Sequence, residues 1–353
     1  IIDFTLFRQE AMADCVCALA KAVRTASQGR KLSVFFFGYV FEFAAPWRGP
    51  GASGHYALRR VLDSPDIDIL CSPISYFDRG LGQSAPNMTA AESVTLAGKL
   101  WLNEDDTATY LCSGTFPGHK EKVDTLAKTN SMLLRNVAQA ACRNLATWWM
   151  DLGASGWFDD PGMWAEMKRL EAIDMPLLDQ PTPFQPDVAL VNHARSMCQV
   201  ATGGPSVTRP LIYETRGSAA RMGAPFGQYL LDDVLAGKVN AKLFVFLNAW
   251  TLTAKERALL RTRLHGKPSH GNSHRHGVAD RDLSHPGIEG YHLRTALTIG
   301  LRLGADTHLP NVPLLRVRIS ERPRPPCLAL AKQRPLVVVP DDLVPIRIGL
   351  LLG

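Results

Sequence analysis

The chain has 353 residues, of which 46% are hydrophobic and 20% are charged. This is the composition of a globular protein with enough length for two domains. The net charge of +6 comes from 39 basic and 33 acidic residues, and because the basic residues are mixed with acids up to about residue 250, nucleic-acid binding is disfavoured.

Cysteine content and hydropathy bear on localisation. The 7 cysteines include no C-x-x-C pair and lack the regular spacing of a disulfide framework, which favours a reducing compartment. No apolar segment reaches the roughly 18 residues of a membrane helix, because Pro340, Asp341 and Asp342 interrupt the hydrophobic C-terminal stretch. We therefore expect a cytoplasmic protein that has no membrane partner.

The first 180 residues repeat a pattern of strand, loop and helix. Four nearly continuous apolar runs predict strands buried on both faces of a sheet, at 33–41, 67–71, 99–103 and 147–151. Apolar side chains at helical spacing predict helices before and between them, at 4–28, 54–62, 90–97 and 129–143. This alternation predicts an α/β fold with parallel strands.

A proline-rich stretch at 180–186 predicts a linker to a second unit. Beyond it, strands are predicted at 187–191, 226–231 and 242–247, with helices at 213–222 and 253–263. We expect a first domain over 1–180, an open α/β domain over 187–310 and an irregular or divergent tail over 311–353.

Polar residues follow each predicted strand of the first unit. In a (β/α)₈ barrel the carboxyl ends of the strands meet at one edge, where the active site lies. We therefore expect the following side chains to converge: Glu42 after the first strand, Tyr76 and Arg79 after the second, Glu104 after the third and Asp151 after the fourth.

The strongest candidate catalytic residue is Glu104. Retaining glycoside hydrolysis needs two carboxyl groups about 5 Å apart, one to attack the anomeric carbon and one to protonate the leaving group. Glu104 ends an apolar strand, which would hold a nucleophile rigidly. In the alternative interpretation, Glu104, Asp105 and Asp106 solvate the strand end or cap the next helix.

Aromatic rings accompany these acids. They would suit stacking on the apolar face of a sugar, and any one of them could instead belong to the core. They are Tyr39, Tyr76, Trp101, Trp148, Trp149 and Trp157.

Three further polar residues have two interpretations each. Asp151 precedes the glycine-bearing stretch 153–156 and would either bind a sugar hydroxyl or cap that loop. Arg79 would bind substrate or form an ion pair with Asp78 that orders the loop. Glu42 would bind a hydroxyl or pair with Arg48.

Other kinds of site are less well supported. Residues 49–54 match G-x-G-x-x-G, but seven residues separate them from the preceding strand, whereas a dinucleotide site needs a tight turn there. Asp68, the acid at about the right spacing, lies inside the next strand. The six histidines within 265–292 lack metal-ligand spacing, and no G-x-S-x-G elbow is present. We expect no metal and no cofactor.

Segments 37–43, 72–80, 99–107 and 148–153 resemble the ends of strands five to eight of the barrel in the β-galactosidases of glycoside hydrolase family 42. Residues 187–264 are similar to the flavodoxin-like trimerisation domain that follows that barrel. The resemblance implies that Glu104, beside Asn103, is the nucleophile and that the acid/base glutamate precedes Ile1. It also implies a galactoside or oligosaccharide substrate and a homotrimer.

These observations lead to one hypothesis and two alternatives. The chain is expected to be a retaining, β-galactosidase-like glycosidase with Glu104 as nucleophile. Its substrate-binding residues are expected to be Asn103, Trp101, Tyr39, Glu42, Tyr76, Arg79, Trp148 and Asp151. The alternatives are a non-catalytic oligomerisation or carbohydrate-binding module and a dinucleotide-dependent oxidoreductase.

Overall fold

The structure, a computed structural model, describes residues 1–45, 53–112, 123–179, 183–200 and 207–265, together with three short strands nearer the C-terminus. It confirms the predicted α/β class, because strands alternate with helices and the strands up to residue 246 pair in parallel. Most of the histidine-rich segment and of the predicted tail lies outside the described residues.

The first unit contains four strands in the predicted places. Its elements are α1 (Ile2–Ala26), β1 (Val34–Phe36), α2 (Leu58–Leu62), β2 (Ile69–Pro73), α3 (Ala91–Leu96), β3 (Leu100–Asp105), α4 (Leu126–Ala141), β4 (Ala146–Trp149) and α5 (Pro161–Asp179). The strands are all parallel and lie in the order β1-β2-β3-β4. Helix α5 was not predicted from the sequence, and it contains Pro176.

The second unit has a parallel sheet in which β6, β5 and β7 are neighbours in that order. Its elements are β5 (Val188–Asn192), α6 (Ala194–Met197), a π-helical turn (Arg209–Glu214), α7 (Thr215–Ala220), β6 (Phe226–Leu230), α8 (Leu231–Leu235), β7 (Leu243–Phe246) and α9 (Ala254–His265). The short strands β8 (Ala296–Leu297), β9 (Leu336–Val338) and β10 (Ile348–Gly349) extend this sheet beyond β7.

The two faces of the first sheet differ. Leu70 and Trp101, adjacent in register, are fully buried on the face that the helices cover. On the opposite face Val34, Phe36 and Leu100 are 46%, 51% and 37% exposed. The prediction that these strands are buried on both faces is therefore wrong for this part of the sheet. We call the second face the open face. Because side chains alternate along a strand, Glu104 lies on the same face as Leu100.

One hydrophobic cluster spans both sheets. It includes Leu70 and Trp101 of the first sheet together with Val188 and Phe226 of the second, so the two units pack against each other through a shared core. Among the described residues, no helix combines the length and apolar character needed to cross a membrane.

Candidate functional site

The three acids at the end of β3 are buried. Glu104 is 6% exposed, and Asp105 and Asp106 are completely buried. The interpretation that these acids solvate the strand end is therefore wrong. Asp105 points towards α4, where Asn136 donates to it at 2.9 Å. Glu104 points to the open face, so the run divides between the two sides of the sheet.

A buried ion pair lies next to Glu104. Arg79 Nη1 donates to Asp106 Oδ1 at 2.6 Å, and its Nη2 donates to the Asp106 carbonyl at 3.0 Å. The Tyr76 hydroxyl donates to the other carboxylate oxygen of Asp106 at 3.2 Å. The Arg79 guanidinium also lies over the Tyr76 ring, 4.7 Å from its centroid. The structure thus brings Tyr76, Arg79 and Glu104 together, as predicted for the strand ends.

The surroundings of Glu104 shift its pKa. Burial raises its pKa to about 7, and the Asp106 carboxylate acts in the same direction, while Arg79 lowers it. A carboxyl group that titrates near neutrality exists in both protonation states at ordinary pH. The raised pKa suits proton transfer, and only the ionised fraction of the group has the lone pair needed for nucleophilic attack.

Tyr39 lies near Glu104. Burial raises the pKa of the Tyr39 phenol above its ordinary value, and the neighbouring Cys71 and Glu104 add to the rise. The backbone at Tyr39 is held by His55, whose Nδ1 accepts the N–H groups of Gly38 at 3.0 Å and Tyr39 at 3.3 Å. Burial lowers the pKa of His55 to about 4, so at neutral pH its ring is neutral and Nδ1 can accept both bonds.

Trp148 is the register partner of Glu104 on β4. It is half-buried. Register partners on parallel strands project to the same face of the sheet. Trp148 therefore lies beside Glu104. This is where the sequence predicted an aromatic ring that could stack on a sugar.

Trp101 and Asn103 lie on the opposite face of the sheet from Glu104. Trp101 is completely buried in the core, and its Nε1 donates to Asn103 Oδ1 at 2.8 Å. The alternation of side chains along β3 separates them from Glu104. The structure supports the interpretation that Trp101 is a core residue. Neither Trp101 nor Asn103 reaches the open face, where Glu104 lies.

Glu42 is occupied by contacts within the protein. Its Oε2 accepts from Ser75 Oγ at 2.5 Å and from Arg216 Nη2 at 3.1 Å. Its Oε1 accepts the Tyr76 N–H at 3.2 Å. Arg48, the partner suggested by the sequence, lies outside the described residues. The ion-pair partner is Arg216, which belongs to the second unit.

Asp151 caps a loop. Its carboxylate accepts the backbone N–H groups of Gly153, Ser155, Gly156 and Trp157 at 2.7 to 3.1 Å. These bonds hold the pKa of Asp151 below its ordinary value despite opposing desolvation. The loop-capping interpretation therefore describes its position in this structure.

The predicted ion pair between Asp78 and Arg79 is wrong. Arg79 pairs with Asp106, whereas Asp78 forms a bidentate pair with Arg221, with both N···O distances at 2.7 Å. Adjacent residues in this loop project apart, and each finds a partner distant in sequence.

Sequence reasoning missed three residues that shape the site: Asp106, His55 and Arg216. Asp106 was visible as part of the acidic run, but its partner Arg79 is 27 residues away. Arg216 contacts Glu42 across 174 residues, and no local pattern reports such a contact. His55 follows the G-x-G-x-x-G match, a motif that indicates a dinucleotide site and does not indicate a histidine that accepts backbone hydrogen bonds.

Other ligand types find little support in the part of the chain that the structure describes. No cluster of three or more His, Cys, Asp or Glu side chains with metal-binding geometry occurs there. Asp68, which a dinucleotide site would use, accepts from Arg24 at 2.7 Å and from the Ser33 N–H at 2.8 Å. The glycines at 49 and 51 lie outside the described residues.

Comparison with known proteins adds no functional assignment. No protein-family model matches the chain, and no curated protein matches it. Among solved structures, the chain is 14% identical to a "putative phosphosugar isomerase" from Silicibacter pomeroyi DSS-3, over 73% of this chain and 78% of that one, with a TM-score of 0.13. A similarity this weak carries no argument about fold or function.

Proposed function

We propose that the chain carries the nucleophile side of a retaining glycoside hydrolase of the β-galactosidase type, with Glu104 as the nucleophile. The observation that supports this proposal is the setting of Glu104. It is a buried carboxyl group at the end of a parallel strand, and Tyr39, Tyr76 and Trp148 lie around it. Carboxylates flanked by aromatic rings suit the chemistry and the binding of sugars.

In the proposed reaction the Glu104 carboxylate attacks the anomeric carbon as the bond to the leaving oxygen breaks. That oxygen takes a proton from a second carboxyl group, which later removes a proton from the water that releases the sugar. Asp106 is committed to Arg79 and Tyr76 and does not suit the second role. The resemblance to family 42 assigns this role to a glutamate that precedes Ile1.

The finer architecture is part of the same proposal. Four consecutive parallel strands have the order of half a (β/α)₈ barrel, and on this interpretation the open face would line the barrel interior. The order β6-β5-β7 corresponds to the order 2-1-3 in a flavodoxin-like sheet. By its resemblance to the trimerisation domain, the second unit would mediate a homotrimer.

The nucleophile can be tested without the acid/base residue. Incubation of the full chain with 2-deoxy-2-fluoro-β-galactosyl fluoride should form a stable ester on Glu104, because fluoride leaves with little acid assistance and the 2-fluoro group slows hydrolysis. Peptide mass spectrometry should locate the added sugar. Glu104→Gln should abolish labelling, while Glu171→Gln, which removes an exposed carboxylate, should leave it unchanged.

The outcome separates the two leading functions. Label on another carboxylate, or equal labelling of the Glu104→Gln variant, would remove Glu104 from this role. Sugar binding measured by calorimetry in a chain that never becomes labelled would favour the non-catalytic carbohydrate-binding module.

A further inference from the structure

A segment of the second unit, residues 208–221, reaches the loops that follow β1 and β2 in the first unit. The Thr208 hydroxyl donates to the Ala44 carbonyl at 2.6 Å. The rings of Tyr213 and Phe77 lie 5.1 Å apart between their centroids. This segment, which we call the clamp segment, thus contacts both loops next to the candidate site.

Arg216 makes the most deeply buried of these contacts and is completely shielded from solvent. Its Nη2 donates to Glu42 at 3.1 Å, and its Nη1 donates to the Asn87 carbonyl at 2.7 Å. Glu42 in turn accepts from Ser75 and from the Tyr76 N–H. One guanidinium therefore fixes the loop after β1 to both ends of the loop after β2.

Arg221 holds the middle of the second loop. Its guanidinium forms a bidentate pair with Asp78, which also accepts from the Ser84 hydroxyl at 2.5 Å. Asp78 has a φ of 55°, a left-handed conformation that aspartate tolerates better than most residues. The paired carboxylate thus stabilises a turn of the loop that carries Tyr76 and Arg79.

We propose that the clamp segment is a positioning element for the candidate active site, in which Arg216 and Arg221 set the placement of Tyr76 and Arg79 against Asp106 and Glu104. The proposal assumes the function proposed for Glu104 but depends on different contacts. Tyr76 is held at its N–H by Glu42 and at its hydroxyl by Asp106. A shift of the loop would therefore move both groups that border Glu104.

The second unit then has a role at the site in addition to any role in assembly. Arg216 and Arg221 do not touch the reacting carboxylate, and they act through the loops. A contact that only stabilised the fold would change the melting temperature and leave the titration of Glu104 unaltered, and this difference allows a direct test.

The test uses Arg221→Ala in the full chain, because the Arg221 side chain is 52% exposed and its loss should permit folding. The first measurement is the titration midpoint of Glu104 by carboxyl ¹³C NMR, assigned with the Glu104→Gln variant. We expect Arg221→Ala to move this midpoint by about 0.5 pH units or more, since burial, Asp106 and Arg79 together determine it. Arg221→Lys should restore part of the change.

The matched control is Arg169→Ala, which removes a half-exposed arginine paired with Glu166 on α5, away from both loops. The second measurement is the rate of labelling by the 2-fluoro sugar, which should fall about tenfold for Arg221→Ala and stay unchanged for the control. If Arg221→Ala matches the control in both measurements, the positioning role is wrong. A moved midpoint in a chain whose Glu104 is never labelled would retain the positioning role and reject the proposed nucleophile.

Discussion

At the scale of single residues, the main feature is one carboxyl group whose protonation is coupled to folding. The pKa of Glu104 is raised from its ordinary value of 4.5 to about 7 in the folded chain, mainly by burial. As the pH rises above 4.5, the unfolded chain releases this proton first, so ionisation favours unfolding. The free energy of unfolding should therefore fall between pH 4.5 and 7 and then level off.

The expected loss is up to about 3 kcal/mol, from 1.36 kcal/mol per pKa unit. Denaturant unfolding at pH 4.5 and pH 8 measures it. Glu104→Gln should remove this part of the pH dependence and should be the more stable variant at pH 8, because its side chain stays neutral. Glu171→Gln is the control and should follow the wild-type curve. Parallel curves for wild type and Glu104→Gln would show that the carboxyl group titrates normally.

At the scale of secondary structure elements, local pattern predicted where strands lie but not what they face. All four apolar runs of the first unit became strands, because a buried strand needs contiguous apolar residues. Residues 37–41, predicted as part of the first strand, leave the sheet after Phe36. Gly38 has a φ of 91° there, and its N–H is held by His55. The strand thus ends next to a contact between Gly38 and His55, which are 17 residues apart in the sequence.

Helix α5 was missed for a different reason. Its apolar residues do not form one clear stripe, and Pro176 lies inside it, which argues against a helix in any local analysis. Tertiary packing stabilises this helix. Its residues Met163, Met167 and Leu170 are buried with Leu133 and Val137 of α4.

Helix α9 shows the opposite case, an element with a strong local signal. Thr253 and Glu256 form a reciprocal capping box, with the Glu256 N–H donating to Thr253 Oγ1 at 3.2 Å and the Thr253 N–H donating to Glu256 at 2.6 Å. Thr253→Ala should lower the free energy of unfolding of this region by about 1 kcal/mol. Amide hydrogen exchange in the first turn of α9 measures the change.

The same substitution within the helix provides the control. Thr262 is exposed in the interior of α9 and donates only to the Ala258 carbonyl, so Thr262→Ala should leave the stability unchanged or raise it slightly, because alanine has the higher helix propensity. Equal exchange rates in the two variants would contradict the role of Thr253 as a cap.

At the scale of the whole molecule, distant pairs join the two units, and the sequence alone did not reveal them. Glu42 with Arg216 and Asp78 with Arg221 are separated by 174 and 143 residues. Each arginine was unremarkable in its own segment, since a side chain that ends in a buried pair carries no periodic signal. The strand ends could be predicted as a meeting place because parallel topology requires it, whereas the partners that fix them could not.

The open face of the first sheet leads to the last prediction. Phe36 is the last residue of β1 and Phe37 follows it directly. Phe36 is 51% exposed, whereas Phe37 is only 2% exposed. If the face remains open, Phe36→Ala should cost only about 1 kcal/mol, since half of its ring is already in water, while Phe37→Ala should cost about 3 kcal/mol or more. Denaturant unfolding of both variants measures the difference.

An open apolar face should also promote association, because exposed patches and unpaired strand edges invite contact with other chains. The sedimentation coefficient of the chain should therefore increase with protein concentration. This increase should be smaller in Phe36→Ala. If Phe36→Ala instead costs as much as Phe37→Ala, the face is covered in the protein. Since Glu104 lies on the same face, the segment that forms such a cover would also border the candidate site.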